Sequence, residues 1–106
     1  MISSAIYAQE FVSPIGFVDN EANRQKVIAY IKKQVKEEAT AKGETNMIEY
    51  YEQENLKAFK ELIKVKNTKV LEKIIKEFCD LGSCSYMMFL MAYLDEDRSY
   101  VPVLEW

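Results

Sequence analysis

Histidine is absent from all 106 residues, so acid–base chemistry in this chain falls to carboxylate, lysine, tyrosine or cysteine. The commonest proton shuttle at neutral pH is missing, and with it the favoured neutral metal ligand. Ser-His-Asp and Cys-His arrangements are impossible within the chain, as are zinc sites built on imidazole. Cys79 and Cys84 have neither a standard redox spacing nor a zinc-ligand spacing. Cys79 falls in the apolar phase of a helical pattern and reads as a small packed hydrophobe. Cys84, between Ser83 and Ser85, reads as the more exposed of the two, with no neighbouring base to make it a nucleophile. Asp95-Glu96-Asp97 opens like a calcium loop, but such a loop would need Gly where Tyr100 stands and Glu where Trp106 stands. No glycine-rich phosphate loop or dinucleotide fingerprint is present. No catalytic, cofactor-binding or metal-binding residue emerges, and the expectation is a non-catalytic protein without a cofactor.

Charge offers two binding leads. Residues 57–76 carry seven lysines against two glutamates, a local balance of +5 in a chain whose net charge is −3. Lys66, Lys69, Lys73 and Lys76 recur at helical spacing, which suits contact with nucleic-acid phosphates. The same pattern also describes a solvated helix face, because Glu72 and Glu77 stand four residues from Lys76 and Lys73. Arginine, the better fork for bases and phosphates, supplies only two of the fourteen basic residues. The second lead is the acidic, aromatic segment with Glu49, Tyr50, Glu52 and Glu54. Tyrosine gives large contact area at low entropic cost, and adjacent carboxylates complement a basic partner. Its plain alternative is a core Tyr51 beside an ordinary wet helix face. We expect a small protein-interaction or regulatory protein acting through Glu49, Tyr50, Glu52 and Glu54. Nucleic-acid association through the lysines ranks second, and a small-ligand or enzyme role third.

These side chains must be held by helices. Asp19 or Asn20 can cap the first, whose stripe runs through Val27, Ile28, Ile31, Val35 and Ala39 to a stop at Gly43. Asn46 with Glu49 has the form of a capping box for the second, with Ile48, Tyr51, Leu56, Phe59, Leu62 and Ile63 as its stripe. Asn67 or Thr68 can cap the third, where Val70, Leu71, Ile74, Ile75 and Phe78 mark a buried face and Gly82 a stop.

Residues 86–94 are apolar on every face, so periodicity does not separate helix from strand. The β-branched and aromatic run from Ser99 to Trp106, with Pro102, reads as the second arm of a hairpin whose loop is Asp95-Glu96-Asp97-Arg98. The expected fold is α+β: three amphipathic helices packed on a C-terminal β-hairpin, with a strand between Ile6 and Val18 as an even choice. An all-α four-helix bundle is the alternative. Residues 1–106 read as one domain, long enough to bury a core. No apolar run is long enough to span a bilayer, and no export signal is recognisable, which points to a cytoplasm. Met87, Met88 and Met91 on a two-faced apolar element need covering, and a second copy forming a homodimer is one such cover.

Overall fold

The computed structural model describes residues 11–96, and over that span it is helical with no strand. Asn20 starts the first helix, α1 (Glu21–Lys42), by accepting the Asn23 N–H at 2.8 Å. That bond satisfies one of the donors left over at a helix start, and Glu21 complements the dipole. The expected stripe is the buried one, with Val27, Ile31, Val35 and Ala39 turned inward. Gly43 ends the helix at φ 71°, and the N–H groups of Gly43 and Glu44 return to the carbonyls of Thr40 and Ala39.

The next helix begins differently from expectation. Asn46 and Glu49 form no capping box; Thr45–Met47 make one 3-10 turn, and α2 (Ile48–Leu62) continues from it without a side-chain cap. Within that turn the Met47 N–H bonds to the Glu44 carbonyl at 2.9 Å and the Ile48 N–H to the Thr45 carbonyl, so the Ile48 donor open to an Asn46 cap is already used. In α3 (Thr68–Asp80), Asn67 does cap, accepting the Val70 N–H at 3.3 Å. Its end is a tight reversal over Gly82 at φ 83°, where the Ser83 N–H reaches the Phe78 carbonyl at 2.8 Å.

The main correction concerns residues 86–94. They belong to α4 (Tyr86–Glu96), so the α+β fold with a C-terminal hairpin is overturned and the all-helical alternative fits. Asp95 and Glu96 complete the last turn of that helix instead of forming a hairpin loop. The proposed second arm, residues 99–106, lies outside the described residues. Helix α4 packs between α2 and α3, while α1 packs on α2, and its outer side keeps Met88 and Met91 exposed. With α2 and α3 covering its inner side, the propensity of Met, Leu and Ala favours helix. Residues 11–18 form no strand either. The chain turns there, with the Phe17 N–H bonded to the Pro14 carbonyl at 3.4 Å and Gly16 at φ 72°. The remainder of that expected strand, residues 6–10, lies outside the described residues.

The core gathers on the inner face of α4, where Tyr86, Phe89 and Tyr93 are fully buried. Tyr86 is ringed by Phe11, Tyr30, Phe59 and Phe89, with centroids 5.9, 5.7, 4.8 and 6.0 Å away. Met91, on the outer side, is 60% exposed. Phe89→Ala should therefore cost about 3–5 kcal/mol in denaturant unfolding, through lost burial and the cavity left behind. Met91→Ala should stay within about 0.5 kcal/mol. Equal costs for the two would contradict this orientation of α4.

Candidate functional site

Three helix ends meet where α1 finishes, α2 begins and α4 begins. Between them lies a depression of about 150 Å³ whose wall includes Glu38, Lys42, Glu44, Tyr51, Met87 and Met88. Its floor is held by Asn55, which is 3% exposed. The Asn55 Oδ1 accepts the Ser85 hydroxyl at 3.0 Å and the Met87 N–H at 3.1 Å, while its amide nitrogen donates to the Tyr51 carbonyl at 2.9 Å. Ser85 is the residue before α4, and its carbonyl accepts the first helical bond, from Phe89 at 3.0 Å. A side chain of α2 thus supplies the cap of α4, fixing the two helices in register.

The rim of the depression is a chain of charged contacts. Tyr51 donates its hydroxyl to Glu44 at 3.1 Å, Lys42 bonds to Glu38 at 3.1 Å, and Gln34 reaches the other Glu38 oxygen at 2.7 Å. The Glu44 carboxylate accepting that bond holds the Tyr51 phenol above its ordinary value. Partial loss of water and the negative charges of Glu44 and Glu38 act the same way, and Lys42 acts against them. Lys42 is itself raised by its bond to Glu38.

Of the acidic and aromatic residues singled out in the sequence, Glu49 and Tyr50 are exposed, while Glu52 and Glu54 are half-buried. Helical geometry splits them. Glu49 and Glu52 are three apart on one flank of α2, Tyr50 and Glu54 four apart on the other, and the Tyr51–Asn55 row runs between. Tyr50 lies outside the wall of the depression and touches the Tyr51 ring, with centroids 5.8 Å apart. Glu54 is engaged by Lys57 at 3.4 Å.

The lysines are exposed, but they do not line one groove. Lys60 and Lys64 border a groove of about 450 Å³ with Arg24, between α1 and α2. Lys76 borders a shallower hollow with Ser13 and Ile15, and bonds to Asp80 at 3.3 Å. Among the described residues, Lys66, Lys69 and Lys73 have no ion-pair partner.

Two features escaped the sequence. Asn55 sits where an apolar stripe was sought, and its partners Ser85 and Met87 lie thirty or more residues away, so no local pattern marks it. The cysteines were read as separate thiols; they are bonded to each other. The bond borders a groove of about 510 Å³ with Phe11, Tyr30, Glu37 and Glu38. No helix among the described residues is long and apolar enough to cross a membrane. The chain matches no known protein family, no curated protein and no solved structure.

A phenol raised in the folded state contributes stability that is present below its unfolded value and lost as pH climbs through the folded one. For Tyr51 that loss falls on the alkaline side of about pH 10. In carbon-13 NMR of labelled tyrosine, Tyr51 should titrate above an exposed tyrosine, and Glu44→Gln should bring it down. An unchanged Tyr51 titration in Glu44→Gln would contradict the bond.

Proposed function

We propose that this chain is a small non-catalytic interaction protein that docks a basic, partly apolar segment of a partner protein at the α1–α2–α4 depression. The observation carrying this reading is the meeting of residues that are far apart in sequence. Tyr51 and Glu44 meet Met87 and Met88 at one depression, with Tyr50 in ring contact beside it. Tyr50 is 55% exposed and Met88 37% exposed, which leaves aromatic and thioether surface for an apolar anchor. Glu49 and Glu52 on the adjoining flank of α2 favour lysine or arginine around that anchor.

Selection from a displayed peptide library should enrich basic sequences that carry an aromatic or aliphatic anchor. The double substitution Tyr50→Ala with Glu52→Lys should weaken binding at least about tenfold, as expected for loss of an anchor and reversal of a rim charge. Enrichment without charge bias, or binding indifferent to the double variant, would overturn the reading. Light scattering at micromolar concentration identifies self-association: a mass of two chains makes the partner a second copy.

That Lys66, Lys69 and Lys73 have no ion-pair partner among the described residues favours a second reading, association with nucleic acid along α3. Retention on DNA or RNA should then fall steeply as salt is raised, since each neutralised phosphate releases a counterion. Lys69→Glu with Lys73→Glu should abolish it. No retention at low salt would dismiss this second reading. We place the protein in a cytoplasm, which requires the Cys79–Cys84 bond to be one that a reducing thiol pool can open.

A further inference from the structure

The Cys79–Cys84 bond closes the turn from α3 into α4, with only Asp80, Leu81, Gly82 and Ser83 between. In the chain-entropy account a cross-link restricts the unfolded chain, and it does so least where the closed loop is short. This turn is already fixed by its backbone. The Gly82 N–H bonds to the Cys79 carbonyl at 3.0 Å, and the Ser83 N–H to the Phe78 carbonyl at 2.8 Å. From α1, the Tyr30 hydroxyl donates to the Cys84 carbonyl at 2.7 Å. The turn is thus held by hydrogen bonds that do not involve the sulfurs. Both cysteines are half-buried, and both line the groove of about 510 Å³ against α1.

The geometry points to Cys79–Cys84 as an exchangeable disulfide, opened by small neutral or cationic thiols that enter through this groove. Its wall pairs the rings of Phe11 and Tyr30 with the carboxylates of Glu37 and Glu38. Lys42 offsets Glu38, leaving Glu37 without an ion pair among the described residues. An anionic thiol meets that excess negative charge, and a cationic one is drawn to it.

The bond also has a polarity. Cys79 sits in the last turn of α3, at the negative end of the helix dipole. Cys84 immediately precedes Ser85 at the start of α4, the positive end of that helix's dipole. A thiolate is thus favoured at Cys84, which makes it the leaving group. The incoming thiolate attacks the Cys79 Sγ. A sulfur–sulfur bond forms there, the Cys79–Cys84 bond breaks, and its electron pair departs on Cys84, which takes a proton from water. A second thiolate then attacks the outer sulfur of the mixed disulfide. That releases the small-molecule disulfide and the Cys79 thiolate, which is protonated by solvent. Two thiols are oxidised to one disulfide as two cysteines are reduced.

The test uses the full chain under native conditions with cysteamine, 2-mercaptoethanol or glutathione. Samples are quenched with iodoacetamide, mapped by mass spectrometry and followed by far-UV dichroism. An oxidised peptide of residues 77–86 serves as the unstructured reference for each thiol. The bond should open with the helical signal retained, and the trapped intermediate should carry the thiol on Cys79 and the alkyl group on Cys84. Relative to the peptide, cysteamine should outpace glutathione by about tenfold at low salt, with the gap closing as salt rises. Cys84→Ser, treated with cystamine, should stay helical and carry its adduct on Cys79. Opening only in denaturant, or loss of helix on opening, would make the bond a structural staple and overturn the proposal. An adduct on Cys84 would refute the polarity, and a thiol order equal to that of the peptide would refute selection by the groove.

Discussion

Tyr86 must be buried by ring and satisfied by hydroxyl at the same time, and the arrangement of the other elements follows from that demand. Its side chain is 0% exposed, and its hydroxyl donates to the Val12 carbonyl at 2.6 Å. Burial pushes the phenol far above its ordinary value, so it remains a neutral donor under all ordinary conditions. The bond draws residues 11–12 across the start of α4, and Phe11 stacks on the same ring. From the other sides Tyr30 of α1 and Phe59 of α2 meet it edge-on. An apolar ring with an unpaired hydroxyl in this position would cost several kcal/mol in lost hydrogen bonding and solvation. The N-terminal segment, α1, α2 and α4 are thus tied at one residue.

Asn55 acts on the same stretch of chain in a different way. An amide buried among apolar groups is stable only when its donors and acceptor are used; here the acceptor is spent on Ser85 and Met87 at the start of α4, and the amide nitrogen on the Tyr51 carbonyl within α2. Sliding or rotating α4 against α2 would separate Oδ1 from both Ser85 and Met87. The aromatic cluster supplies burial, and the amide supplies uniqueness of register. Together they hold Met87 and Met88 at the depression that Glu44, just past the end of α1, and Tyr51 of α2 border.

What could be read from the sequence was what local geometry decides. The caps at Asn20 and Asn67, the stop at Gly43 and the stripes of α1 and α3 depend on residues within a few positions of one another, so spacing reveals them. The identity of α4 depends on what surrounds it. Nine consecutive apolar residues have no phase, and only the packing of α2 and α3 on either side makes a helix the right answer. The start of α2 misled for a subtler reason, since a 3-10 turn satisfied donors that the Asn46 side chain was expected to take. The four acidic and aromatic residues were adjacent in sequence but fall on two flanks of α2, a separation that helical geometry imposes. The cysteine pair escaped because its closure depends on the Gly82 reversal, and five-residue spacing alone does not announce a bond.

The placement of α4 between α2 and α3 bears on how the chain is built as well as how it rests. During synthesis α1, α2 and α3 leave the ribosome in turn. The principal packing partner of α3 is still unmade at that point, and the inner face of α2 is only half covered, by α1. Leu62, Leu71 and Ile74, nearly inaccessible in the finished molecule, face water during that interval. At translation rates of roughly 5–20 residues per second the exposed interval lasts about a second or more. Completion of the centre is therefore assigned to a late segment, and a nascent chain halted before residue 86 would display the apolar surface that chaperones bind.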